Sequence, residues 1–255
     1  MNQTLHEFFS NKNSEKQWST IYRLGGIAAI IALAGILLDV VIGNITGGNL
    51  TALPQTAIDR FSQFHDNAFT GLYNLDLLNI INQMIMIPVF FALFAAHRDI
   101  NKAYSLLALL LFLFGSVLMV ANNTALPMLE LSHKYFATTI ESQKVLYAAA
   151  GESLLAQGSH GSPGMFLGFF IPNMANLIMS VVMLKGRKFS KTNAWLGITG
   201  SIFMLCYMVL VTFVPGVETM ATAFAMPGGL LLMTWMILFT IRLFRLSRLE
   251  NSLVQ

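Results

Sequence analysis

Asp76, Asn79 and Gln83 stand at i, i+3 and i+7 of an otherwise apolar run, a spacing that puts a carboxylate and two amides on one helical face. Asn82 lies beside that face, and Asn173 with Asn176 repeats the Asn-x-x-Asn pattern in a later apolar run. Asp39 falls near the end of the first run, and Asn122 and Asn123 close the third. Such groups are costly in hydrocarbon and turn toward protein or water, so together they predict a ligand-binding pocket shared between helices. The amides also admit a second reading, as hydrogen bonds across helix interfaces at about 1 kcal/mol each with no ligand involved. Asp76 demands more, because a carboxylate at that depth needs a cation, a proton or several donors. Asp39 is close enough to the boundary to be hydrated.

Other chemistry is weakly signalled. A metal site would draw on Asp76, His65 and His160, yet none of the three has ligand spacing, and loop histidines are commonly solvated. His160 sits in the flexible run Gly158-Ser159-His160-Gly161-Ser162-Pro163-Gly164. Ser153 follows Glu152 but lacks the G-x-S-x-G elbow of a serine nucleophile. No phosphate loop, dinucleotide fingerprint or H-E-x-x-H occurs, so the sequence names no cofactor. A lone cysteine, Cys206, excludes an intramolecular disulfide.

The elements that would carry these residues are set by composition. The chain is 55% hydrophobic and 11% charged over 255 residues, with mean hydropathy +0.65, too little charge for a water-facing surface. Six segments, Leu24 to Gly43, Leu75 to Ala96, Ala103 to Ala125, Met165 to Leu184, Ala194 to Val214 and Ala223 to Leu243, each reach the roughly 20 residues needed to cross a bilayer. Backbone groups in lipid must pair within their own segment, which makes the spans helices. The fold class is all-α: a polytopic membrane bundle over 24–243, with residues 1–23 and 244–255 as terminal segments. Lys and Arg gather in alternate loops and at both termini, which predicts cytoplasmic termini. The basic residues are not grouped with aromatics as a nucleic-acid surface requires. Membrane lipids are the expected surroundings.

Two loops on the opposite side are long, Asn44 to Gly71 and Pro127 to Gly164. In the second, Phe136, Ile140, Tyr147 and Leu154 recur at near-helical spacing and predict an amphipathic helix over about 135–157, resting on headgroups or capping a cavity. Gly164-x-x-x-Gly168 and Gly197-x-x-x-Ser201 permit close helix approach. Pro88, Pro172 and Pro227 are expected to bend or interrupt their helices, Pro172 next to Asn173.

Tyr22-Arg23-Leu24-Gly25-Gly26, Leu75-Asp76-Leu77-Leu78 with Pro88 beyond it, and Trp195-Leu196-Gly197 resemble an uncharacterised bacterial multi-pass membrane family, domain of unknown function family 4386. The resemblance covers nearly the whole chain and implies an inner-membrane protein of six or seven helices, with no activity or site residue to carry over. Function is expected to be binding or transport of a small or amphiphilic ligand through the polar pocket. A membrane-embedded enzyme acting on a lipid-like substrate, metal-dependent or not, and a regulatory or structural subunit remain as alternatives.

Overall fold

The computed structural model describes residues 2–45 and 53–254, with side chains for 16–43, 53–217 and 219–250. The Gly/Thr/Asn-rich start of the first long loop, 46–52, and the side chains of Lys12 and Glu218 lie outside the described residues. The helices are α1 (Asn2–Ile45), α2 (Ala57–Asp66), α3 (Ala68–Tyr73), α4 (Leu77–His97), α5 (Lys102–Asn122), α6 (Ala125–Ala137), α7 (Glu141–Gly158), α8 (Pro163–Gly186), α9 (Lys191–Phe213) and α10 (Glu218–Val254). No strand occurs among the described residues. Six of the helices, α1, α4, α5, α8, α9 and α10, are long and apolar enough to cross a membrane.

Those six pack as a closed ring in the order α1, α4, α5, α8, α9, α10 and back to α1, with α4 and α8 touching across the middle. Large apolar side chains face outward, for example Ile30, Leu37 and Leu38 on α1 and Leu110, Phe114 and Val117 on α5. A surface of that kind is stable against lipid and not against water. Inside, Tyr22, Phe90, Leu93, Phe112, Met179, Trp235 and Phe239 belong to one buried apolar cluster. Glycines set the closeness of the walls: a side chain at Gly25 would strike Ala92, one at Gly115 would strike Pro172, and one at Gly197 would strike Ser180 and Trp235.

The ring has two different ends. At the basic end Arg98 lies 3.9 Å over the Trp18 ring, Lys188 approaches Asp99, and Arg242 Nε donates to the Lys188 carbonyl at 2.6 Å. Ser19 donates to the Ser247 carbonyl at 2.8 Å and joins the first helix to the last. The opposite end carries a cap of α2, α3, α6 and α7 with its own apolar core of Phe61, Phe64, Leu75, Met128 and Leu155.

The cap departs from the single helix expected over 135–157. The chain forms α6 and α7 instead, because Thr138, Thr139 and Ile140 interrupt it. Ile140 N–H bonds to Thr138 Oγ1 rather than to a helical carbonyl, the local competition by which threonine ends helices. Tyr147 and Leu154 then pack on the cap core, while Ile140 stays exposed. In the first long loop Thr56 caps α2 by accepting from Asp59 N–H, and Asn67 caps α3 by accepting from Thr70 N–H. The prolines do not interrupt their helices: α4, α8 and α10 run on through Pro88, Pro172 and Pro227.

Candidate functional site

Inside the ring lies a cavity of about 240 Å³ to which all six long helices contribute. Asn79, Asn82 and Gln83 come from α4, and Asn173 and Asn176 from α8. The i, i+3, i+4 and i+7 positions of a single helix share a face, so each of α4 and α8 turns an amide-bearing face to the same cavity. The rest of the lining is soft and apolar, including Met86, Met119, Met204, Met233 and Met236. Its floor is aromatic: Phe112 stacks on Phe90 at 3.9 Å, and Trp235 meets Phe239 edge-on at 4.8 Å.

The amides are not equivalent. Gln83 Nε2 donates to Ser116 Oγ at 3.0 Å, and Asn173 Nδ2 donates to the Phe169 carbonyl at 3.0 Å. Asn79 Nδ2 donates to Asp76 Oδ1 at 2.8 Å. Asn82 Nδ2 and Asn176 Oδ1 are buried and have no partner, one a donor and the other an acceptor. Pro172 adds a further acceptor, since it offers no N–H to the carbonyl of Gly168 four residues back, and Gly168 lines the cavity.

A second polar cluster closes the capped end. Asp76 Oδ2 lies 2.9 Å from His160 Nδ1, and His160 Nε2 lies 2.9 Å from the Tyr207 hydroxyl. This chain of bonds runs from the start of α4, through the α7–α8 turn, to α9. Asp76 sits at φ 62, ψ 21, a left-handed conformation that Asp tolerates better than most residues. Its carboxylate makes no cap bond to α4 and is turned to His160 and Asn79 instead. Gly161, at φ +77, allows the turn that folds His160 inward. Phe169, which lines the cavity, packs edge-on against the His160 ring at 5.5 Å. Phe169 thus links the polar cluster to the cavity wall.

Electrostatics fit this geometry. Burial alone would raise the Asp76 carboxyl, but His160, then Asn79 and Arg60, outweigh it and hold the group below its ordinary value. Burial pulls the Arg60 guanidinium down, with Asp76 opposing. Tyr73 is raised by burial and by the Asp39 charge.

Several candidates lie elsewhere. Asp39 does not line the cavity; its backbone carbonyl accepts from Tyr73 hydroxyl at 2.9 Å. Asn122 Nδ2 donates to Gly164 O at 2.7 Å, which joins α5 to α8, and Asn123 Nδ2 donates to Leu75 O at 2.6 Å, which ties the cap core to the ring. His65 is exposed and stacks on Phe136 at 4.1 Å, away from Asp76 and His160. Among the described residues no three His, Cys, Asp or Glu side chains converge as a metal would require. His160 is a correction to the solvated-loop expectation: a glycine turn and a buried carboxylate draw it in. Tyr207 and Arg60 were missed, although a tyrosine inside an apolar span and a lone arginine in a polar loop were visible signals.

The family described as "Domain of unknown function (DUF4386)" matches residues 24–241. No curated protein and no solved structure matches the chain.

Proposed function

The chain belongs to this family of unknown function, a membership that assigns no reaction, and from the site itself we propose that this membrane protein binds a small uncharged molecule in the amide-lined cavity. The observation that carries the proposal is that two residues lining one cavity, Asn82 and Asn176, hold a buried donor (Nδ2) and a buried acceptor (Oδ1) without partners. Leaving such groups unpaired in a buried site costs about 1–3 kcal/mol each, and a ligand carrying both an acceptor and a donor recovers it. Among the described residues no Asp, Glu, Lys, Arg or His lines the cavity, which disfavours a charged ligand. Its volume lies below the roughly 300–1,000 Å³ of drug-sized sites, so the occupant is a compact molecule rather than a whole lipid. Adaptable methionines suit an apolar body.

Passage of that molecule would be controlled at the capped end, where opening the Asp76–His160–Tyr207 chain uncovers Phe169 and the cavity beneath. The Lys/Arg bias supports a cytoplasmic basic end and an outward cap. An oriented carboxylate–imidazole pair also occurs in hydrolases, but here the far imidazole nitrogen meets a phenol, which favours closure over catalysis.

The test is accessibility. In a Cys206→Ala background, single cysteines replacing Asn82 and Asn176 are treated with a small membrane-impermeant methanethiosulfonate from either side of sealed vesicles. Labelling is expected from the cap side, and complete protection from both sides would remove the wet cavity. Native mass spectrometry of protein taken from membranes is expected to show a small bound mass that Asn176→Leu loses.

A further inference from the structure

Arg60 is 4% exposed and has no carboxylate within ion-pair distance among the described residues. Its one side-chain bond is a long one, Nη1 to Gln63 Oε1 at 3.3 Å, and its Nε has no partner. Asp76, the nearest carboxylate in electrostatic terms, already spends one oxygen on His160 and the other on Asn79. Arginine stays protonated in proteins, and a buried cation that makes no direct ion pair is costly for a fold to hold.

Arg60 also borders a pocket of about 90 Å³, separate from the central cavity, whose other walls are Leu53, Pro54, Gln55, Leu155, Ser159 and His160. Gln55 Nε2 gives one hydrogen to the Leu53 carbonyl at 2.6 Å and retains a second. Ser159 donates its proton to Leu155 O at 2.7 Å. The pocket is therefore small, polar, and short of negative charge on a wall that contains a buried guanidinium.

We propose that this pocket binds one anionic group, a phosphate or carboxylate, held by the Arg60 guanidinium and the Gln55 amide. The planar guanidinium fork matches either oxyanion in bidentate fashion. The group can arrive as a free anion or as the head of an anionic lipid, since the cap covers one end of the six long apolar helices. The pocket is separate from the neutral cavity, and His160 is the residue that borders it and also belongs to the chain closing the capped end.

The experiment uses the full chain in detergent and in nanodiscs. Inorganic phosphate is titrated by calorimetry, and phospholipid retention from phosphatidylglycerol against phosphatidylcholine nanodiscs is read by native mass spectrometry. Arg60→Gln is expected to weaken binding by about tenfold or more, a loss of ~1.4 kcal/mol. Because Arg60 is buried, Gln55→Glu is the second variant: it sits on an exposed residue and places a competing carboxylate beside the guanidinium. It is expected to lower anion binding without lowering the melting temperature of the anion-free protein. Phosphate binding lost in both variants marks a free-anion site, and selective phosphatidylglycerol retention lost in both marks a headgroup site. Binding that neither variant changes, or no binding of either probe by the wild type, overturns the proposal.

Discussion

Asp76 joins two demands that are usually separate, a left-handed backbone and a buried charge. Asp76→Asn keeps a residue that accepts positive φ and removes the charge, whereas Asp76→Ala loses both. The alanine variant is expected to be less stable than the asparagine variant by about 1–2 kcal/mol, the left-handed penalty, as read from denaturant or thermal melts in one detergent. The sign of the pH effect follows from the lowered carboxyl. The stability it contributes is present above its unfolded value near ~3.9, and is lost as pH falls through its lower folded value. Wild-type melting temperature is therefore expected to drop on acidification below about pH 4 more steeply than that of Asp76→Asn; parallel pH curves would deny the carboxylate that role. At this scale Asn79, Asn82, Gln83, Asn173 and Asn176 were legible, because an amide in an apolar run has few places to go. His160 was not, since its partner lies 84 positions away and only the folded turn brings them together.

Helices that pass close to one another do so at glycines, and these positions carry opposite expectations. Gly115 lies against the Pro172 ring at the α5–α8 contact, so Gly115→Val is expected to cost about 1–3 kcal/mol through overpacking. Gly229 on α10 borders the cavity with nothing within 4 Å of an added methyl. Gly229→Ala is therefore expected to be neutral or stabilising, by up to about 1 kcal/mol of helix propensity, while narrowing the cavity. Melts of the two variants side by side check both, and equal losses would contradict this packing. The six spans were legible from length and hydropathy alone. The division of the second long loop into α6 and α7 was not, because the apolar spacing of Phe136, Ile140, Tyr147 and Leu154 continues across a break made by threonine side chains. Nor did the sequence show that α8 absorbs Pro172, which depends on Gly115 opposite it.

For the molecule as a whole, ring order and cap are the two properties that composition could not express. Periodicity told which residues avoid lipid, but a closed cycle of six with α4 touching α8 inside it is a matter of which face meets which. The cap has its own core, so it can loosen while the ring holds. Phe61→Ala, at a fully buried cap position, is expected to speed methanethiosulfonate labelling of a cysteine at Asn82 with the ring's helical signal intact by circular dichroism; unchanged labelling would mean the cap does not guard the cavity. The ring itself has a consequence for biogenesis. Its first and last helices, α1 and α10, are neighbours, joined at Ser19 and Ser247, so the final wall is set only when the sixth span has been made. Until Trp235 and its helix leave the ribosome and enter the bilayer, the amides of α4 and α8 face an open seam. A nascent chain stopped short of α10 therefore presents polar surface to lipid, and is the form that proteolytic quality control should recognise and clear.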